Sequence, residues 1–246
     1  MQRRRHLLLV PALLAAPGLA RGQAPWPSRP VRIINPYAPG GTSDIIVRPL
    51  AERLQQRFGQ PFVIENRAGA VAGERPDGYT LLVSNTGPLA VAPALFPNLA
   101  YDPARAFTWI TMLGGAPIVC AVKGDGPIRT MADYLAMARR RPEEVSFGSS
   151  GVGSAGHLTG VLFGMETRTQ LLHIPFRGAG EAQQAVLSGQ TTSLWDTSGA
   201  NAAAIRGGSL RGIAVSSAER IVALPDVPTV KELDLPGVVS TNWFLV

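Results

Sequence analysis

Two stretches of one design constrain the fold of this chain more than any other feature. The apolar run Val31 to Ile34 leads into Pro36-Tyr37-Ala38-Pro39-Gly40-Gly41-Thr42-Ser43-Asp44, and Val145 to Gly148 leads into Ser149-Ser150-Gly151-Val152-Gly153-Ser154. Each reads as a strand, a glycine turn and a helix start. Gly40 and Gly41 permit positive φ and close approach by a guest, and Thr42 or Ser43 is a natural N-cap. The first N–H groups of such a helix stand unpaired at the positive end of its dipole, which suits a carboxylate or phosphate.

The rest of the chain continues the alternation. Ile46, Leu50, Leu54 and Phe58 recur four apart as the buried face of a first helix, which Gly59 closes and in which Pro49 predicts a kink or a late start. Phe62 to Ile64 and Thr80 to Val83 are strands, while Glu65 to Gly78 has too few periodic apolar residues for a crossover helix. Ser84-Asn85-Thr86-Gly87 reads as a second polar turn before a short helix ending near Phe96. Trp109 to Leu113 and Ile118 to Val122 are consecutive strands around Gly114-Gly115-Ala116-Pro117, where the chain first crosses between lobes. A capping box at Thr130 to Asp133 opens a helix to Arg141. Helices from Ala155 to Met165, Glu181 to Leu187, Asn201 to Arg206 and Val227 to Leu233 alternate with strands Leu171 to Ile174, Thr192 to Trp195, Leu210 to Val215 and Trp243 to Val246. This order implies parallel sheets covered by helices, with ligands at the carboxyl ends of the strands.

Residues 1–24 have the layout of a secretory leader: Arg3, Arg4 and Arg5 precede the apolar stretch Leu7 to Leu19, and Gly22-Gln23-Ala24 supplies small residues for cleavage after Ala24. The general export route is favoured over the twin-arginine one. Removing the leader's four arginines from 23 basic residues leaves 19 against 17 acidic ones, a mature charge of about +2. The chain has no basic stripe with interleaved aromatics, so a nucleic-acid partner is not expected. Cys120, the single cysteine, lies in an apolar run as a buried small hydrophobe.

Gly151-Val152-Gly153-Ser154-Ala155-Gly156 matches G-x-G-x-x-G between a strand and a helix. The next strand ends in Arg177 rather than in the acid a ribose requires, which leaves an NADP-dependent oxidoreductase as one alternative. Gly148 to Val152 misses the last glycine of a nucleophile elbow. His157 and His173 have no metal-ligand spacing, so neither a metal nor a cofactor is expected, and His157 reads as a packing or capping residue. Asp196, beyond Trp195, is the one acid placed at a strand end like a site residue. Two glycine-fronted helix starts, one in each half, suit binding of an anion between two lobes.

Taken in order, Trp26-Pro27-Ser28-Arg29-Pro30-Val31, PYAPGGTSD, ENRAGA, Pro76-Asp77-Gly78-Tyr79-Thr80, GSSGVGSAGHL, HIPFRG, Trp195-Asp196 and Leu224-Pro225-Asp226-Val227-Pro228-Thr229 resemble the Bug-type receptors, the periplasmic solute-binding components of tripartite tricarboxylate transporters. The resemblance covers nearly all of the mature chain. It implies a non-enzymatic, two-lobed, Venus-flytrap-like α/β binding protein of type II that closes over a small carboxylate (a dicarboxylate, tricarboxylate or acidic amino acid) and delivers it to membrane components. Lobe one would span 25–112 with 237–246, and lobe two 113–236. By the same resemblance Gly40, Gly41, Thr42 and Asp44 hold the ligand from lobe one, and Thr86 from a second lip. Ser150, Gly151, Gly153 and Ser154 hold a carboxylate from lobe two, and Asp196 faces a polar or amino group. Two departures stand out. Val71 to Arg75 leaves no room for the family's crossover helix before PDGYT, and the family continues for several tens of residues beyond the last strand. An incomplete lobe one is therefore expected, and a truncated, non-binding remnant is the further alternative.

Overall fold

The structure, a computed structural model, describes residues 25–67 and 72–246; the expected leader lies outside the described residues. The first sheet is parallel, in the order β2 (Phe62–Asn66), β1 (Val31–Asn35), β3 (Thr80–Leu82). Strand alternation puts Val31, Ile33 and Phe62 on the face that packs against Val47 and Ala51 of α1 (Thr42–Phe58). The buried stripe of α1 is Val47, Ala51 and Leu54, which shares only Leu54 with the expected set: Ile46 and Leu50 are half-buried and Phe58 is exposed. Pro49 neither delays nor interrupts the helix. Pro49 and Ile45 are both exposed, so the carbonyl that Pro49 leaves without a donor faces solvent. Gly59 closes the helix at φ 69°.

Among the described residues no helix joins β2 to β3. On the sheet face opposite α1 the Arg32 guanidinium donates to both oxygens of Glu65, at 2.8 and 3.0 Å, and pairs with Glu74, which also takes Arg67. Charged side chains here occupy ground that a crossover helix would cover. The opening motif meets PDGYT at the far end: Tyr79 Oη accepts the Ser28 N–H, Arg29 stacks 3.9 Å from the Tyr79 ring and pairs with Asp77, and Trp26 packs edge-on against Phe58. These two motifs build the lobe and line neither chamber of the cleft described below.

A longer sheet follows. β4 (Ser84–Asn85) leads through a π-helical segment, Gly87–Val91, into α2 (Ala92–Leu95), then α3 (Pro103–Ala106) and β5 (Met112–Lys123). Next come α4 (Met131–Arg140), β6 (Ser146–Ser149), α5 (Ala155–Thr167), β7 (Leu172–Pro175), α6 (Ala179–Leu187), β8 (Ser193–Thr197), α7 (Ser198–Arg206), β9 (Leu210–Val215) and β10 (Thr241–Leu245). The strand order is β4-β10-β5-β8-β6-β7, with β9 also on β5. Trp195, Tyr134, Phe147 and Phe163 are buried at its core together with Cys120, whose thiol burial pushes well up.

Three expectations are corrected here. The two strands expected around Gly114 to Pro117 are one strand, β5, whose first half pairs with β10 and whose second half pairs with β8 and β9. The glycines do not interrupt it, because Gly115 lies under Thr241 and Trp243, where a Cβ would come within 2.6 Å of Thr241 Cγ2. Ser84-Asn85 is not a turn but β4, recruited by β10, a strand 157 residues later for the pair Thr86 and Trp243. Val227 to Leu233 is not a helix: Thr229 bridges to Val215, the Val230 N–H bonds to the Val215 carbonyl, and only one turn forms, held by reciprocal Thr229–Glu232 bonds.

Candidate ligand-binding cleft

Two adjoining chambers lie between the bodies that carry the two sheets. The smaller, about 50 Å³, is lined by Gly41, Thr42, Ser43, Gly178 and Ala179 among others. The larger, about 280 Å³, reaches the start of α5 and the segment Gly87 to Tyr101. Tyr37, Asn85, Ser150, Asp196, Thr197 and Asn242 line both.

At the first wall, Gly40 adopts φ +86° and its N–H bonds to the Asp44 carboxylate at 3.2 Å. Asp44 also takes the Arg48 guanidinium at 2.8 Å and the Asn66 amide of the ENRAGA motif. Burial alone would raise the Asp44 carboxyl, but Arg48, the Gly40 N–H and Asn66 together hold it below its ordinary value. Gly40 and Asp44 therefore shape the turn and line neither chamber. The expected N-cap is corrected: Gly41 occupies that position with no side-chain bond, and Thr42 and Ser43 are inside the helix. The N–H groups of Gly41, Thr42 and Ser43 make no bond among the described residues. The Thr42 hydroxyl is committed elsewhere, donating to Thr197 Oγ1 at 2.7 Å and accepting the Ala200 N–H at 3.0 Å.

At the second wall Ser154 caps α5 by accepting the His157 N–H at 3.2 Å. The loop's own donors are largely used: Gly151 N–H bonds to Ser149 Oγ, and Gly153 N–H to His157 Nδ1 at 3.2 Å. His157 stacks on His173 with ring centroids 4.0 Å apart, and His173 Nε2 meets Ser149 Oγ at 2.8 Å. Burial lowers both imidazoles, His173 to about 4 with the neighbouring His157 adding to the effect. His157 is thus a packing and loop-holding residue, as the sequence reading has it. Ala155 and Gly156, which line the larger chamber, keep unpaired N–H groups. Gly156 has no alternative, since any Cβ there would collide with the Trp195 carbonyl.

Asp196 sits within β8, 3 % exposed. Its Oδ1 accepts the Thr197 N–H at 2.6 Å and the Thr197 hydroxyl at 3.2 Å, while Oδ2 has no partner. Burial raises its carboxyl, opposed chiefly by the Thr197 N–H. Asn242 Oδ1 is likewise buried and unpartnered. Of the expected residues the structure gathers Gly41, Thr42, Ser150, Gly153, Ser154 and Asp196 around the chambers. Gly151 is behind the wall, and Thr86 uses its hydroxyl to accept the Trp243 N–H at 2.9 Å. Sequence reasoning missed Tyr37, Ser43, Asn85, Thr197 and Asn242. The first four lie in or beside motifs already singled out; Asn242 arrives on β10 and carries no local signal.

Four helix starts, those of α1, α5, α6 and α7, therefore border one cleft that no lysine or arginine among the described residues lines. Contacts across it are direct, from Thr42 to Thr197 and Ala200 and from Leu95 to Gly153, where a Cβ would stand 3.0 Å from Leu95 Cδ1. A two-lobed α/β architecture with helix dipoles facing a shared cleft is a periplasmic-binding-protein fold. Residues 46–246 match the family described as the tripartite tricarboxylate transporter family receptor, and the chain belongs to that family. It is 34% identical to the protein BugT of Bordetella pertussis, covering 100% of this chain and 79% of that one. Among solved structures it is similar to Rpa4515 of Rhodopseudomonas palustris with adipate (32% identity, TM-score 0.86, 89% of this chain and 76% of that one). MatC from the same organism, with bound malate, is similar at 30% identity and TM-score 0.82, covering 89% of this chain and 78% of that one.

Proposed function

We propose that this chain is a periplasmic receptor that captures a small carboxylate between its lobes and presents it to the membrane components of a tripartite transporter. The observation that carries this reading is the convergence of four helix starts, with free N–H donors at Gly41, Thr42, Ser43, Ala155 and Gly156, on a cleft without a basic side chain. Oriented N–H groups at helix starts favour an anion and leave the site selective by shape. The carboxylate sits against Gly41 to Ser43 and the Ser150 to Gly156 turn, and Asp196 Oδ2 accepts a donor from the ligand or from a water it holds. Gly40, Asp44, Gly151 and Thr86 act on the ligand only through the turns and the strand they hold. The lobes divide as 25–112 with 237–246 and 113–236, so that β5 carries the hinge. Ligand contact with both sides stabilises the closed arrangement by its differential affinity. The family assignment and the 280 Å³ chamber, walled by Gly87 to Tyr101, speak for a solute receptor over a dinucleotide enzyme at Gly151 to Gly156.

The test is calorimetry and thermal melting of the leader-free protein with mono-, di- and tricarboxylates. One of them at 100 times its dissociation constant should add ~2.7 kcal/mol of stability. Gly41→Val should weaken every ligand by crowding the α1 donors. A cooperatively folded protein indifferent to all of them would refute the reading in favour of a non-binding remnant.

A further inference from the structure

The charge and lining of the larger chamber point past carboxylate binding in general. The helix starts of α1 and α6 already carry first-turn acids, Asp44 and Glu181, and the buried Asp196 adds a further negative charge, so the cleft holds little positive surplus beyond what one carboxylate uses. Away from the shared polar end, the chamber is walled by Pro88, Ala92, Phe96, Leu99, Tyr101 and Val152. Tyr101 presents its ring there, because its hydroxyl is spent on the Pro88 carbonyl at 2.9 Å. Among these residues no cation and no side-chain donor is left for a second carboxylate. At the polar end the two buried atoms unpartnered among the described residues, Asp196 Oδ2 and Asn242 Oδ1, are acceptors that favour a donor, while the side-chain donors of Asn85, Ser150 and Asn242 stand at that same end, beside the first carboxylate and away from the apolar wall. The volume of about 280 Å³ equals about nine water volumes, room for a ring or a short hydrocarbon chain.

We infer that the ligand is a monocarboxylate with an apolar body, its carboxylate at the helix starts of α1 and α5 and its hydrocarbon against Phe96, Leu99 and Val152, rather than a dicarboxylate or tricarboxylate. The inference rests on the receptor reading above and narrows it. A body of this kind removes the exposed apolar faces of Phe96 and Val152 from water, which supplies affinity that a second carboxylate forgoes.

Isothermal titration of the leader-free protein with hexanoate, benzoate, leucine, phenylalanine, malate, adipate and citrate decides it, with hexanamide as the control lacking charge. At least one apolar monocarboxylate should bind about ten-fold or more tightly than malate, adipate and citrate, and hexanamide should not bind. Leu99→Asn should then cost that monocarboxylate about ten-fold while changing malate much less. Tightest binding of malate, adipate or citrate overturns this inference and leaves the receptor reading intact. A folded protein that binds none of the carboxylates overturns the receptor reading itself, and the inference with it.

Discussion

Replacing Thr42 with valine removes one hydroxyl and keeps the shape of the side chain. That hydroxyl is 7 % exposed at the residue level and joins α1 to α7 by two bonds, to Thr197 Oγ1 at 2.7 Å and from the Ala200 N–H at 3.0 Å. A typical net hydrogen bond contributes ~1 kcal/mol, and a donor left buried without a partner costs ~1–3 kcal/mol. The Ala200 N–H becomes such a donor, so the contact between the lobes should weaken by ~1–3 kcal/mol. Because this contact exists only when α1 and α7 meet, the loss falls on closure, and ligand affinity should drop about five- to 150-fold. Titration calorimetry with the best carboxylate measures it, and Thr42→Ser, which keeps the hydroxyl, is the control. Affinity of the valine variant within two-fold of both the parent and the serine variant would refute the idea that this hydroxyl latches the cleft.

Asp196→Asn keeps an acceptor for the Thr197 N–H and removes a charge whose burial raises its carboxyl. The raised group penalises the folded state once it is ionised, so the variant should melt above the parent at pH 7–8 and lose that advantage as pH falls toward the ordinary carboxyl value; the reverse order in a pH series of melts would contradict it. The variant Asp196→Ala should reorder carboxylate preferences. The histidine pair is depressed, so its contribution to stability is complete above the ordinary imidazole value and is lost as pH falls toward about 4. For a group cut off from solvent that span would be ~3 kcal/mol, and ~1 kcal/mol is expected at this partly exposed site. His173→Asn should flatten the acid limb of melting temperature against pH. Gly156→Ala must push α5 away from the Trp195 carbonyl, at ~1–3 kcal/mol or more. A melting temperature unchanged in that variant would show that α5 is not packed against β8 as described.

Local pattern carried much of this fold because most elements are written in short-range terms. The glycine turns at Gly40 and Gly151, the Thr130 capping box and the Gly59 stop are visible to the chain's own neighbours, and each stands where the sequence puts it. The elements misread are those set by distant partners. β4 exists because β10 pairs with it, and β5 stays continuous because β10 and β8 take its two halves. The segment after Pro228 stays unwound because Val215 takes its backbone.

The candidate site divides along the same line. Sequence alone determined that two helix starts would offer N–H donors to an anion, and which motifs front them, because glycine conformation and helix dipoles are local properties. Only the tertiary structure decided which groups remain free to act. Asp44 is consumed by Gly40, Arg48 and Asn66, Gly153 by His157, and the Thr42 hydroxyl by Thr197 and Ala200. Asp196 and Asn242 keep unpartnered oxygens beside the cleft. A residue type states what a side chain can bond; the packing of elements remote in sequence states what it has already bonded, and the difference is what is left for a ligand.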